Sequence, residues 1–359
     1  MSVLGTMLSG GVLFDEGMYG CIFRPSLRCK DPAKQPPLTK NKIHPPLSKI
    51  ILTEDAIVED KISKIIRTIP IWKNHFAVAE SMCEPAEKQT DPEFSKCEAI
   101  TKYKMSDFRI LSMSYYGKPM ASYQFKWADF NFMDFITHLI KGGALLCLFG
   151  VAHRDIHQGN LLIDQDYVPR IIDFNLAIMT ERPVTADDLA HTYALDISQE
   201  PPDSTLINAV ERGYSPNKVI PEIIYKKQIL KKIRNILGIS AHDMYRELSA
   251  FYQKSKIMKE GNTVNWFTLY WTTIDSWAIG CIIVDLISKL SLWPSFETIL
   301  GPHKLKLFTL LKKMCAVSPI DRVDCVQALY YLNPQDFIIR KYGKAWIAKI
   351  GDGKIRISE

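Results

Sequence analysis

The sequence predicts an α+β protein in which strands come first along the chain and helices come later. Short alternating apolar runs bounded by turn residues fill the part before residue 116, whereas apolar residues at helical spacing dominate residues 204–340. The sequence contains no internal repeat and no low-complexity tract. This segregation favours a small antiparallel sheet with one helix, followed by a mainly helical region.

The composition is typical of a soluble globular protein. The chain has 359 residues, of which 47% are hydrophobic and 23% are charged. Its net charge of +6 is too small an excess to indicate a nucleic-acid site. We find no run of about 18 apolar residues and no secretion-signal pattern in the first residues, so we expect no membrane span and a cytoplasmic location.

The eight cysteines are scattered and form no C-x-x-C pair. Cys147 and Cys281 lie in apolar runs, which predicts buried free thiols and a reducing compartment. Cys83 and Cys97 are the exceptions, because they bracket a polar stretch. They could pair with each other or bind a metal ion.

Five elements are predicted before residue 116. The helix among them is indicated by apolar residues at 57, 58, 62, 65 and 66, with acidic residues early. In chain order, the elements are a strand–turn–strand hairpin at 12–24, a strand at 47–52, the helix at 54–68, and short strands at 76–79 and 110–113, with a polar loop over 82–104.

The part after residue 116 begins with a helix predicted over 130–149, although glycines at 142 and 143 are unfavourable inside a helix. Two short strands follow at 161–163 and 169–172. Further on, residues 220–237 predict one basic amphipathic helix that carries Lys226, Lys227, Lys231, Lys232 and Arg234. These charges either form a solvated face over an apolar stripe or provide a docking site for an acidic partner.

Two short motifs carry the chemistry. The first, His153-Arg154-Asp155, is followed after four residues by Asn160, a pattern typical of a phosphotransfer catalytic loop. The second, Asp173-Phe174-Asn175, follows a predicted strand and provides a carboxylate, the ligand that a hard cation such as Mg²⁺ prefers. Each motif alone is weak, but their order and the two strands between them are specific.

Three further segments, in the strand-rich first part of the chain, contain residues that matter for the resemblance described below. Gly17-Met18-Tyr19-Gly20 would let backbone N–H groups approach phosphates, although two glycines are also common in a plain turn. Lys49 lies on an apolar strand, where the alternative is an edge residue. Leu111–Gly117 is either a strand with a nucleotide-binding linker or a plain buried strand.

Two segments in the helical part complete the pattern. Asp275-Ser276-Trp277-Ala278-Ile279-Gly280 opens an apolar helix, where an isolated Asp is usually an N-cap. Pro201-Pro202-Asp203 and Pro319-Ile320-Asp321-Arg322 provide an acid and a base far apart in the chain.

From about residue 10 to about residue 335, these landmarks resemble the eukaryotic-type protein kinase family. The divergent details are similar to those of serine/threonine kinases of large nucleocytoplasmic DNA viruses, which implies a viral protein in the host cytoplasm or the virion. The resemblance implies a two-lobed protein-kinase-like fold, with an N-lobe over 1–116, a C-lobe over 117–359 and a helical insert at about 204–270.

The resemblance assigns catalytic roles to Asp155, Lys49 and Asn160, and Mg²⁺ binding to Asn160 and Asp173. It assigns ATP binding to Gly17, Gly20, Ile22, Lys49, Glu59, Met113, Ser114, Tyr116 and Leu162. Glu59 would be the ion-pair partner of Lys49, and Glu54 is the alternative.

The resemblance also implies three structural contacts. Asp275 would accept hydrogen bonds from the catalytic-loop backbone. Asp203 would form a buried ion pair with Arg322, with Glu200 as a competing acid. Arg154 would bind a phosphate in the activation segment, where Thr192, Tyr193 and Ser198 are candidate acceptors.

Three residues depart from the family pattern. His157 stands where serine/threonine kinases usually carry a Lys that touches the γ-phosphate, and a neutral His provides less charge. Asn175 replaces a Gly, and Asn tolerates a left-handed backbone better than other residues. Leu47 replaces a small Ala beside the adenine.

The expected function is transfer of the γ-phosphoryl group of ATP to Ser or Thr hydroxyls of a protein substrate. Two alternatives stay open. A pseudokinase would keep the fold as a binding module without the chemistry. A small-molecule kinase would share the catalytic loop, but the Asp203 and Arg322 pair favours a protein substrate.

Overall fold

The protein is α+β, with a small antiparallel sheet and a mostly helical C-terminal region, as a computed structural model shows. The structure describes residues 11–17, 20–36, 45–89, 96–126, 129–189 and 193–351. The chain divides into two compact units. Unit 1 comprises Met1–Lys118 and Ile172–Asn175, and unit 2 comprises Pro119–Ile171 and Leu176–Glu359.

Unit 1 contains a five-stranded sheet in the order β1-β2-β3-β5-β4, and every pairing is antiparallel. The strands are β1 (Val12–Gly17), β2 (Gly20–Arg24), β3 (Leu47–Leu52), β4 (Ser81–Cys83) and β5 (Phe108–Met113). The predicted hairpin and the strands at 47–52 and 110–113 are confirmed. The strand predicted at 76–79 is wrong: these apolar residues are buried but lie in an extended connection after α2 (Trp72–His75).

The predicted helix of unit 1 is confirmed as α1 (Thr53–Ile66). Its inward face is different from the one that apolar periodicity indicates. Ile57 and Val58 are more than half exposed, whereas Asp60 and Ser63 are buried beside Ala56. The helix was predicted by its period, but the sheet decides which face is covered. A short α3 (Glu98–Thr101) interrupts the stretch that was expected to be a loop.

Four cysteines of unit 1 form two disulfides, Cys21–Cys97 and Cys29–Cys83. The expectation of free thiols is therefore wrong for Cys21 and Cys29. Cys83 and Cys97 are oxidised, but they do not pair with each other. The two disulfides also remove the argument for a reducing compartment, since disulfides persist mainly in oxidising surroundings. The four sulfur-bearing side chains belong to the apolar core between β2, β5 and the segment around residue 97.

Unit 2 is mainly helical, and its short strands pair as β7 (Val151–Ala152) with β10 (Ile178–Met179) and β8 (Leu161–Ile163) with β9 (Pro169–Ile171). The two-residue β6 (Lys118–Pro119) precedes them. The helices are α4 (Phe132–Leu148), α5 (Ala186–Leu189), α6 (Pro202–Glu211), α7 (Pro216–Lys226), α8 (Gln228–Leu237), α9 (Ala241–Lys254), α10 (Lys256–Glu260), α11 (Thr263–Tyr270), α12 (Ile274–Leu290), α13 (Pro294–Leu300), α14 (Lys304–Met314), α15 (Cys325–Leu332) and α16 (Lys344–Ile350).

The core of unit 2 lies where α4 packs against α12 and α15. Gly143 explains why α4 keeps glycines in its interior: a Cβ atom there would lie 2.6 Å from both Cys325 Sγ and Ile279 Cδ1. Glycine lowers the helix propensity of α4, but it allows the neighbouring helices to approach closely. None of the helices in the described ranges is long and apolar enough to cross a membrane.

The single basic helix predicted over 220–237 is wrong, because the chain breaks there into α7 and α8 at Lys227. Lys227 continues the buried stripe of Ile220, Ile223 and Ile224 and is itself only 1% exposed. Most of the other charges are occupied: Lys226 pairs with Glu222, Lys232 with Asp285, and Arg234 donates to the Ile224 carbonyl. This face therefore offers much less free positive charge than the sequence indicates.

Candidate functional site

The catalytic-loop motif of unit 2 forms a compact polar cluster around Asp155. Asn160 lies at the end of a short 3-10 turn and is buried. Its Nδ2 donates to the Asp155 carbonyl and to Asp155 Oδ2, both at 2.9 Å. Because both bonds use the amide nitrogen, Asn160 Oδ1 stays available as an oxygen ligand.

Asp275 supports this loop as predicted. At the start of α12, its carboxylate accepts hydrogen bonds from the backbone nitrogens of His153 at 2.7 Å and Arg154 at 2.9 Å. Burial raises the pKa of Asp275, while these two bonds and the nearby His153 and Arg154 charges act in the opposite direction. The expected contact is confirmed, and it fixes the backbone immediately before Asp155.

Two residues of the motifs adopt left-handed backbone conformations without being glycine: Arg154 has φ 68° and Asp173 has φ 62°. Such conformations cost about 1–3 kcal/mol each and concentrate at functional sites. In the Asp173-Phe174-Asn175 motif, the left-handed residue is Asp173. Asn175 is not among the positive-φ residues of the described chain, so the Gly that it replaces is not needed for that conformation.

His157 turns part of its side chain toward its own loop. Its Nδ1 accepts a hydrogen bond from the Gly159 nitrogen at 3.0 Å, and its Nε2 lies 3.7 Å from Asp155 Oδ2. The imidazole is 39% exposed. His157 thus belongs to the Asp155 cluster, where its contact to the carboxylate depends on protonation.

Gln199 is a member of this cluster that no sequence motif indicated. Its Nε2 donates to Asp155 Oδ1 at 2.7 Å, so that Gln199 and Asn160 hold the two carboxylate oxygens from different directions. Partial burial acts to raise the pKa of Asp155, but the nearby His157 imidazole and the hydrogen bond from Gln199 outweigh it and lower that pKa. Gln199 lies 44 positions along the chain from Asp155, and nothing in its local sequence marks it.

Arg154 is occupied by backbone carbonyls. Its Nη1 donates to Asp188 O at 2.7 Å and approaches Leu176 O at 3.5 Å. Of the candidate acceptors for a phosphate, Tyr193 donates its hydroxyl to Glu222, and Ser198 has a weak contact to Gln199. Thr192 lies outside the described residues.

In unit 1, the predicted ion pair between Lys49 and Glu59 is confirmed. Lys49 Nζ lies 2.6 Å from Glu59 Oε2, and both side chains are 17% exposed. Glu54, the alternative, is exposed in the first turn of α1. Lys49 stands opposite Ile22 of β2 and Leu111 of β5, so the sheet brings these predicted residues into one row.

The linker after β5 is held by Glu80. Glu80 Oε1 accepts from Ser114 Oγ at 2.7 Å and from the Tyr116 hydroxyl at 3.5 Å. These contacts use side chains, which leaves the predicted role of the Ser114 and Tyr116 backbone groups compatible with the geometry. Met113 is half-buried and stands opposite Leu47 in the β3–β5 ladder.

Of the two glycines in the predicted phosphate-binding turn, Gly20 is the one that close strand packing requires. Gly20 has φ 153°, and a Cβ atom there would lie 2.1 Å from the Ile50 carbonyl oxygen. Close contact between β2 and β3 therefore requires Gly20. Gly17 pairs with Gly20 across the hairpin, and Met18 and Tyr19 between them lie outside the described residues.

The predicted metal-binding motif has an exposed carboxylate. Asp173 is exposed, whereas Phe174 is buried and contacts Phe76 edge-on at 5.9 Å between ring centroids. Asn160 Oδ1 and the Asp173 carboxylate are the oxygen donors that Mg²⁺ takes from proteins beside water and phosphate oxygens. Each of the two residues therefore has a donor type that suits this ion. Leu162 is half-buried on β8.

The predicted pair of Asp203 and Arg322 is confirmed, with 2.7 Å between Oδ1 and Nη2 and neither side chain exposed. Asp203 Oδ2 also accepts from Trp266 Nε1 at 3.0 Å. Glu200, the competing acid, instead accepts from Ser204 Oγ and Asn208 Nδ2. Burial raises the pKa of Glu200.

The structure thus groups the predicted residues into two clusters, one around Lys49 and Glu59 in unit 1 and one around Asp155 and Asn160 in unit 2. Comparison of the sequence with models of protein families and with curated proteins yields no match.

Proposed function

We propose that the chain is an ATP-dependent serine/threonine protein kinase with a two-lobed, kinase-like fold. The observation that carries the proposal is the geometry of Asp155, whose carboxylate is held by Asn160 on a loop that Asp275 fixes from α12. A carboxylate with an ordered direction beside an amide oxygen suits alignment of a hydroxyl nucleophile near a metal-bound phosphate.

Each residue has one task in this proposal. Asp155 orients the acceptor hydroxyl and accepts its proton, and its lowered pKa keeps it ionised at neutral pH. Lys49, held by Glu59, contacts the α- and β-phosphates. Asn160 and Asp173 would hold Mg²⁺, which when bound neutralises charge on the phosphates.

The nucleotide base would lie against the row of Ile22, Lys49 and Leu111 across the sheet. Met113 and the backbone groups of Ser114 and Tyr116 would contact the edge of the base. Gly17 and Gly20 would keep the β1–β2 hairpin close to the phosphates, and Leu162 would contact the adenine. These roles follow the resemblance of the motifs. The confirmed Lys49–Glu59 pair supports them.

A protein substrate is favoured over a small molecule by the Asp203–Arg322 pair. The pair resembles the contact that closes the activation segment of protein kinases, an anchor that small-molecule kinases generally lack. Both side chains are fully buried here, so the pair is part of the architecture of unit 2.

The test is transfer of labelled γ-phosphate from ATP with Mg²⁺ to a generic basic protein, followed by identification of the phosphorylated residue type. Wild type should label Ser or Thr, and Asp155→Asn should reduce kcat by about a thousandfold or more. Asp166→Asn is the matched control, since Asp166 is exposed between β8 and β9.

Equal incorporation by wild type and Asp155→Asn would contradict the proposal. ATP binding without transfer by either protein would indicate a pseudokinase. Transfer to a small acceptor only would indicate a small-molecule kinase.

A further inference from the structure

Residues 193–200 precede α6 and include Gln199, the residue that contacts Asp155. Side chains that come later in the chain hold this segment. The Tyr193 hydroxyl donates to Glu222 Oε2 of α7 at 3.2 Å. Trp277 Nε1 of α12 donates to the Ser198 carbonyl at 3.1 Å. Lys227 Nζ donates to the Ile197 carbonyl at 2.6 Å.

Lys227 is the unusual member of this set. It occupies the break between α7 and α8, is 1% exposed and has no carboxylate within 4.0 Å among the described residues. Burial lowers the pKa of Lys227, and the nearby Glu200 charge acts in the opposite direction. An ammonium group without a carboxylate partner is costly inside a protein. Its partners are the Ile197 carbonyl and, at 3.3 Å, Thr205 Oγ1.

These contacts determine where Gln199 points. The carbonyls of Ile197 and Ser198 are consecutive, and one is bound by Lys227 at the break between α7 and α8, the other by Trp277 of α12. With two adjacent peptide planes fixed, the next residue has little freedom of direction. Gln199 then places its Nε2 2.7 Å from Asp155 Oδ1.

We propose that Lys227 is a positioning residue for Asp155, acting through the Ile197–Gln199 segment and the Gln199 amide; this rests on the proposed phosphotransfer function. Lys227 contacts no reacting group. Its ammonium holds the segment so that Gln199 fixes the direction of the carboxylate that meets the substrate hydroxyl. The 204–270 insert thereby has a role in catalysis, because it provides Lys227.

The experiment compares Lys227→Met, Gln199→Ala and the double variant with wild type. Met preserves the length and volume of the Lys stem without the charge. Lys259→Met, at an exposed position of α10, is the matched control. We measure kcat, the KM for ATP and double-mutant coupling, together with amide hydrogen exchange of residues 197–200.

Each single variant should lower kcat by about tenfold or more, since small misplacement of a reacting group costs up to about a hundredfold. The KM for ATP should change less than twofold. The double variant should be no slower than Gln199→Ala alone, because both changes remove the same contact. Exchange at residues 197–200 should be faster in Lys227→Met than in Lys259→Met.

Three results would each overturn the inference: a kcat of Lys227→Met equal to that of the control, fully additive losses in the double variant, or unchanged exchange at 197–200. If Lys227→Met does not fold, Lys227→Gln is judged by the same criteria. The exchange readout needs no phosphotransfer. A wild type that transfers no phosphate would therefore refute the proposed function separately, while faster exchange would still show that Lys227 holds the segment.

Discussion

Asp203 and Arg322 are separated by 119 positions in the chain, yet their side chains form an ion pair of 2.7 Å from which solvent is excluded. Asp203 lies in the first turn of α6, and Arg322 lies in the connection between α14 and α15. The guanidinium also donates to the Ala316 carbonyl, and its Cζ atom lies 5.3 Å from the Trp277 ring centroid. The pair therefore joins two distant parts of unit 2 through a fully buried contact.

Removal of one partner should leave the other as an uncompensated buried charge. Arg322→Met should therefore lower the free energy of unfolding by about 3–5 kcal/mol. The measurement is urea denaturation of each variant. Glu260→Gln is the control, because it removes an exposed pair with Lys256 and should change stability by less than about 1 kcal/mol. Equal effects of the two changes would mean that the pair is not buried as described.

Replacement of Asp275 should affect both stability and catalysis. Asp275→Asn loses one acceptor for the backbone nitrogens of His153 and Arg154, and we expect about 1–3 kcal/mol of destabilisation. Since Arg154 is held in a left-handed conformation, kcat should also fall by about tenfold or more. Urea denaturation and steady-state kinetics check this, with Asp166→Asn as the control. A kcat equal to that of wild type would show that the loop keeps its geometry without Asp275.

The two candidate partners of Lys49 can be separated by matched substitutions on the same helix. Glu59→Gln removes the carboxylate 2.6 Å from Lys49 Nζ and should lower kcat/KM for ATP by about tenfold or more. Glu54→Gln changes an exposed residue of α1 and should leave kcat/KM within about twofold of wild type. The opposite ranking of the two variants would assign the partner to Glu54.

Because Glu200 is buried, it should make the free energy of unfolding fall as the pH rises. Burial raises its pKa above the ordinary value of 4.5, so between 4.5 and the raised pKa the folded protein holds a proton that the unfolded chain releases. Glu200→Gln keeps an oxygen for Ser204 and Asn208 but does not titrate. The stability of wild type relative to this variant should therefore decrease above pH 4.5, by at most about 1.4 kcal/mol per pH unit.

The measurement is urea denaturation of both proteins at several pH values from about 4 to about 8. The lowest pH lies about half a unit below the ordinary pKa of Glu200. Glu260→Gln, at an exposed position, should show a nearly constant difference from wild type. A constant difference for Glu200→Gln as well would show that the Glu200 pKa is not raised.

The two disulfides predict a simple labelling pattern. In denaturant without reductant, only the four free cysteines, at 147, 281, 315 and 325, should react with iodoacetamide. After reduction, all eight should react, as mass spectrometry would show. Eight labels before reduction would contradict both disulfides.

Loss of one disulfide should also destabilise unit 1. Cys29→Ala with Cys83→Ala opens a loop of 54 positions, for which chain entropy gives a loss of about 4 kcal/mol. The matched control is Cys147→Ala in unit 2, which removes a buried free thiol without opening a loop. Thermal unfolding is monitored for each unit. The transition temperature of unit 1 should be lower in the variant with both Cys29→Ala and Cys83→Ala, and unchanged in the control.

Much of the candidate site could be predicted from residues and their spacing. The Lys49–Glu59 pair, the Asp275 bonds to the catalytic loop and the Asp203–Arg322 pair were all expected from motifs and are present in the structure. Element types were also predictable where apolar residues repeat with a clear period. A period follows from local backbone geometry, so it can be read from a short window of sequence.

The remaining features depend on which distant residues meet. Cys21 pairs with Cys97 and Cys29 with Cys83, because the sheet brings these side chains together, and the spacing of eight cysteines contains no such information. The inward face of α1 depends likewise on the sheet that covers it.

Lys227 and Gln199 are the clearest example of residues whose roles follow from the tertiary structure and not from a local sequence pattern. By itself, the sequence determined an α+β chain with a helix-rich second part, and it predicted a phosphotransfer loop around Asp155. Only the tertiary structure decided that Lys227 is buried at a helix break and that Gln199 lies against Asp155. The physical reason is that hydrogen bonds between residues tens of positions apart form where packing places them, and no local pattern encodes that placement.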